Sequence, residues 1–193
     1  MPKLDPQNTA LILIDLQQGL LSMPLAPHSG AKLVDNALRL AGTLKKRGGV
    51  VIPVRVAFSE GYVDRPGQYV DQPMSLPAEG LPAGWSDFPK ELDALGADIV
   101  ITKRQWSAFY GTELDLQLRR RGITHVIIGG IATNFGAEST ARDAWQHDYA
   151  VIIAADLCST FSEEMHQFAL EKVLPRVAKI RSTDEIIAKL NEA

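Results

Sequence analysis

The feature that most constrains this chain is a series of short apolar runs, most of them closing on a polar residue and followed by helical periodicity. "TALILID" (9–15), "VVIPVRVAF" (50–58), "ADIVITK" (97–103), "THVIIGGIA" (124–132) and "YAVIIAAD" (149–156) lack the alternation of a half-solvated strand. Strands of that kind are buried on both faces, the condition of a parallel sheet covered by helices. Between them lie helix patterns. From Gly30, "AKLVDNALRLAGTLKKRGG" sets Leu33, Val34, Ala37, Leu38, Ala41 and Leu44 on one face. "TELDLQLRRRG" (112–122), "NFGAESTARDAWQH" (134–147) and "SEEMHQFALEKVL" (162–174) repeat the pattern. "RVAKIRS" adds a last short strand, and "TDEIIAKLNE" a terminal helix capped by Ser182 or Thr183. The reading gives six strands and five main helices. Pro53 stands against the second strand, because it removes a ladder donor.

Residues 57–97 differ in kind. They carry many prolines and glycines and no long periodic segment, which marks a functional loop or lid. With 193 residues, 46% of them hydrophobic, the chain builds a single domain over 1–193. Its net charge of −3 argues against nucleic acid or an anionic membrane as partner. The basic runs at Arg119–Arg121 and in "LKKRGG" close helices before glycines, where cations complement the dipole. No run is long enough for a membrane span, and "MPKLDPQNTA" lacks a secretory apolar region. The single cysteine, Cys158, has no partner for an internal disulfide, which fits a reducing cytoplasm. It is expected just after strand five, as a small buried apolar residue. Histidines at 28, 125, 147 and 166 have no ligand spacing, so no metal is expected.

In open α/β sheets the ligand lies beyond the carboxyl ends of the strands. Strand one delivers Asp15 and Gln17, strand two Arg55 and Phe58, strand three Lys103 and Arg104, and strand four Thr133, Asn134, Phe135 and Gly136. Trp106, Tyr110 and Ala132 are further pocket candidates. Asp15 closes an apolar strand, where burial raises a carboxyl pKa and a nearby lysine lowers it, so it suits acid–base work. The alternative is a capping residue or a structural ion pair with Lys103. Helix-start N–H groups over 134–137 suit an anion. Gly136 equally fits a mere tight turn.

"LILIDLQQG", "ITKRQWSAFYGTELDLQLRRRGI" and "IIGGIATNFGAESTARDAWQHDYAVIIAADLCS" together resemble the three signature blocks of the isochorismatase-like hydrolase family, in order and over nearly the whole chain. The resemblance implies a three-layer α/β/α fold with a six-stranded, mainly parallel Rossmann-like sheet in the order 3-2-1-4-5-6. Most members are cysteine hydrolases with an aspartate, a lysine and a cysteine. Carried over, these are Asp15, Lys103 and, at the nucleophile position, Gly136, so acyl-enzyme chemistry at that residue is excluded. Isochorismatases that cleave a vinyl ether also carry glycine there. Their chemistry implies that Asp15 protonates the enol carbon, Lys103 orients Asp15, and N–H groups near Gly136 hold a substrate carboxylate. The family also has a non-proline cis peptide before this turn, here Ile131–Ala132, and commonly forms homodimers or homotetramers. The expectation is a cofactor-free hydrolase of a small carboxylated molecule. Two alternatives are a thiol-independent amidase of the nicotinamidase type and a catalytically silent ligand-binding member. A dinucleotide enzyme lacks support, since no G-x-G-x-x-G follows strand one.

Overall fold

The computed structural model describes residues 4–97 and 99–192. Six strands form one all-parallel sheet: β1 (Thr9–Ile14), β2 (Val50–Val56), β3 (Ile101–Lys103), β4 (His125–Ile131), β5 (Ala150–Ser159) and β6 (Lys179–Arg181). Their order is β3-β2-β1-β4-β5-β6, as expected. Every residue of β1 is buried, and alternate side chains enter different layers. Leu11 and Leu13 pack with Leu33, Ala37, Leu40 and Leu44 of the helix Gly30–Lys46 and with Ile186 and Leu190 of the terminal helix Thr183–Asn191. Ile12 and Ile14 face Leu114 and Leu118 of the helix Leu114–Arg120 and Ala141 and Ala144 of the helix Glu138–Gln146. Burial of both faces is why these strands read as unbroken apolar runs.

Pro53 sits inside β2 with its missing donor turned away from β1. Val54 turns its carbonyl to β1, accepting the Asp15 N–H at 2.8 Å, so Pro53 faces the β3 side. Pairing with β3 begins only at Val54, opposite Ile101. The missing donor also accounts for the brevity of β3, expected over 97–103 but formed only from Ile101; position 98 lies outside the described residues.

β5 is longer than expected. Its register with β4 shifts between Ile128 and Gly130, after which Gly130 pairs with Cys158 and Ile131 with Ser159. Cys158 therefore lies within β5, not after it. Gly130 makes the irregularity possible: its φ is 133°, and a Cβ there would lie 2.0 Å from the Ile14 carbonyl oxygen. The helix expected over 162–174 holds α-geometry only for Glu163–Phe168, then passes through a π turn and a 3-10 turn containing Pro175. Ser182 caps the terminal helix in a full capping box with Glu185. Residues 57–97 hold one 3-10 turn, Glu60–Tyr62, and one short helix, Lys90–Asp93.

Candidate active site

β1 ends in a turn at Asp15, whose φ of 53° lies in the left-handed region that aspartate tolerates better than most side chains. Its carboxylate is 4% exposed and takes a hydrogen bond from Lys103 Nζ at 2.7 Å. Lys103, at the end of β3 and 2% exposed, also donates to the Gln105 carbonyl at 3.0 Å. The other carboxylate oxygen, Oδ1, is buried with no hydrogen-bond partner among the described residues. An orphan acceptor of this kind is costly in a folded protein and points to a role outside folding. Burial drives the Asp15 carboxyl from 3.8 up to about 6, against the opposing pull of the Lys103 ammonium. The pair can therefore hold and release a proton close to neutral pH.

Across from this pair lies the turn after β4. The Ile131–Ala132 peptide is cis. One π turn, Thr133–Ala137, leads into the helix Glu138–Gln146. A Cβ built on Gly136 would stand 3.5 Å from Asp15 Oδ2, 2.9 Å from Ile14 Cγ2 and 3.0 Å from the Ile131 carbonyl oxygen. The backbone at Gly136 thus approaches the acid closely and brings no side chain to attack with. The expected row of free N–H groups is shorter than the sequence suggests. Phe135 and Ala137 both donate to the Ala132 carbonyl at 3.1 Å, leaving Asn134 and Gly136 outside these bonds. The π geometry is the reason, since it returns the amide of Ala137 five residues back.

A desolvated carboxylate, its lysine and a glycine turn now stand at the carboxyl edge of a parallel sheet in the order β3-β2-β1-β4-β5-β6. Residues 9–185 match the Isochorismatase domain. The chain belongs to the isochorismatase family. An isochorismatase family protein of Escherichia coli O157:H7 is 45% identical over 190 residues, 98% of this chain and 100% of that protein. The structure of an isochorismatase family protein from Burkholderia thailandensis has a TM-score of 0.92 at 39% identity, with 99% of each chain covered. A probable isochorismatase of Pseudomonas chlororaphis is 27% identical over 190 residues, covering 95% of this chain and 87% of that protein. Isochorismatase family proteins are hydrolases, and this chain is a hydrolase of that family.

Within this isochorismatase fold the other expected site residues separate into groups. Trp106 and Phe135 meet, ring centroids 4.9 Å apart, at the mouth of the turn, and Trp106 and Tyr110 are exposed. Gln17 is fully buried, and its amide is engaged elsewhere. It accepts from the Val56 N–H at 2.9 Å and donates to the Val56 carbonyl at 3.1 Å and the Trp85 carbonyl at 3.4 Å. It clips strand two to the long loop. Arg55 bonds Thr102 at 3.2 Å and lies over the Phe88 ring; strand alternation turns it from the face that carries Lys103. Phe58 packs edge-on against Tyr62. Ala132 is buried at the start of the turn, and Asn134 accepts from Thr160 Oγ1 at 2.6 Å. Among the described residues no group of three histidine, cysteine, aspartate or glutamate side chains could hold a metal ion.

Thr133 leads to a residue that spacing could not reveal. Its Oγ1 lies 2.8 Å from Nδ1 of buried His166, whose ring meets His28 edge-on at 5.8 Å. Burial, reinforced by His28, lowers the His166 pKa from 6.5 to about 4. In that window the unfolded chain takes up a proton that the folded chain refuses, so this histidine erodes stability as pH falls. The melting temperature of the wild type should accordingly drop more than that of His166→Asn as pH is lowered from about 6.5 toward about 4.5. Parallel curves for the two proteins would contradict a buried neutral imidazole.

Cys158 is fully buried, and burial pushes its thiol up to about 12. A neutral, inaccessible thiol is a poor nucleophile. Iodoacetamide should leave the native protein unmodified, and Cys158→Ala should keep turnover within a few-fold. Stoichiometric alkylation with substrate protection would show a working thiol.

Proposed function

We propose that the chain hydrolyses a small carboxylated enol ether without a covalent cysteine intermediate, with Asp15 as the general acid. The observation that carries this reading is the buried Asp15–Lys103 pair with its unbonded Oδ1, set against a glycine turn that offers no nucleophile. The resemblance to cysteine hydrolases implies that their thiol stands where Gly136 stands here. Without it, proton transfer is the chemistry left to the site. Protonated Asp15 delivers its proton to the terminal enol carbon, and the ether oxygen shares the resulting positive charge as an oxocarbenium. Water adds to the ether-bearing carbon of the oxocarbenium and returns a proton to Asp15. The hemiketal then collapses to a keto acid and an alcohol, so protons balance over the cycle. Lys103 holds the carboxyl in place and offsets its charge, and in this reading the Asn134 and Gly136 amides receive the substrate carboxylate. The relative described as a probable isochorismatase supports the same substrate class.

The test is turnover of a carboxyvinyl ether in deuterium oxide. One deuterium should enter the methyl group of the keto acid for each bond cleaved, because the solvent-exchanged acid protonates carbon. Hydrolysis of amides with no action on the vinyl ether would replace this reading with an amidase.

A further inference from the structure

A concavity opens in the long loop that follows β2. It holds about 470 Å³, within the range of small-molecule sites, and is walled by the loops around 57–62 and 78–86. Two contacts tie it to the carboxyl edge of the sheet. Ala57, in its wall, donates to the Lys103 carbonyl at 3.2 Å, and the Trp85 carbonyl, also in its wall, takes the Gln17 amide at 3.4 Å.

The walls are anchored. Tyr62 donates its hydroxyl to the Pro77 carbonyl at 2.9 Å, joining the two loops. Asp64 accepts from Ser59 N and Oγ at 2.8 Å each and from Arg104 Nε at 2.6 Å, fastening the first loop to the residue after Lys103. Trp85 packs so closely on Gly19 that a Cβ there would lie 2.1 Å from the indole.

The lining has one electrostatic character. Phe58, Tyr62 and Trp85 are its aromatic lining residues, and the exposed Glu60 and Glu79 its acidic ones. Of the described residues, no lysine, arginine or histidine lines it. A carboxylate or phosphate would find no countercharge among these residues, whereas an alkylammonium is the group that aromatic and acidic neighbours favour.

We infer that this cavity is a binding site for a small organic ammonium group. The assignment stands on the cavity walls and does not depend on the enol-ether reading. Through Ala57 and Trp85 the cavity walls join the strand edge that carries Lys103 and Gln17, so a cationic arm is the substrate or inhibitor feature it would select.

Choline is the probe, compared with its uncharged isostere in which a tert-butyl group replaces the trimethylammonium. Binding is followed by calorimetry and tryptophan fluorescence on the whole protein. Choline should bind roughly tenfold tighter than the isostere, the scale of a partly desolvated cation–π contact. The exposed pair Glu60→Gln and Glu79→Gln, combined in one protein, should weaken choline while leaving the isostere unchanged. Asp15→Asn should bind choline like the wild type even where turnover is lost, which separates this inference from the proposed reaction. Equal affinity for the two probes, no saturable binding, or unchanged choline affinity in the double glutamine variant would each overturn it.

Discussion

Asp15→Asn should remove turnover, by roughly a hundredfold to ten-thousandfold, the usual contribution of a positioned acid or base. The amide keeps the oxygen that accepts from Lys103 but has no proton to give. Two pH signatures separate this outcome from simple damage. With the free carboxyl at about 6, a general acid gives kcat/KM that is flat below that pH and falls above it. A profile that rises instead would recast Asp15 as a base. The second signature is in stability. Because the folded pKa is raised from 3.8 to about 6, the folded state binds more protons than the unfolded state in that window. Stability therefore declines as pH rises through it, by about 3 kcal/mol at most for a shift of this size. The Asn variant lacks that decline, so its melting temperature should gain on the wild type between about pH 4 and about pH 7. A pH-independent difference between the two proteins would mean that Asp15 is not a raised acid.

The parts of this molecule that were legible in the sequence share a physical cause. β1 and β4 are buried on both faces, and such strands announce themselves as apolar runs. The ends of those runs, with the rule that ligands bind at carboxyl edges, single out Asp15, Lys103 and Gly136, which the fold does bring together. Gln17 lies on the same edge but is tied up by distant partners. Two residues past the acid, it has the profile of a ligand contact, yet its amide is consumed by Val56 and Trp85, partners 39 and 68 residues away. Arg55 differs from Lys103 by parity, since the pairing of Val56 with Lys103 puts Arg55 on the other face of the sheet. The Thr133–His166 contact spans 33 residues and leaves no periodic trace. The extension of β5 through Cys158 depends on how closely Gly130 passes Ile14, a tertiary fact. Residues that interact along one strand edge could be found; those whose partners arrive from distant segments could not.

Lys103→Met should be the most destabilising single change at the site. The lysine is the side-chain partner of Asp15 Oδ2, so the variant strands a buried carboxyl without its charged partner. It also removes the donor to the Gln105 carbonyl. Breaking a buried pair from one side costs about 3–5 kcal/mol, because the remaining group keeps its desolvation penalty without its compensation. For a chain of this length that corresponds to a drop of roughly 10 °C in melting temperature. The carboxyl has one way to reduce the penalty, which is to stay protonated. Burial already pushes its pKa up and Lys103 opposes that, so removing the lysine moves it further above about 6. Any residual activity should therefore have its falling limb displaced to higher pH. The decisive comparison is with Asp15→Asn combined with Lys103→Met. Replacing both members leaves no stranded charge, so the double variant should be more stable than Lys103→Met alone, though as inactive as Asp15→Asn. If the two substitutions simply add, the side chains are neighbours without energetic coupling, and the proton held at Asp15 is not under the control of Lys103.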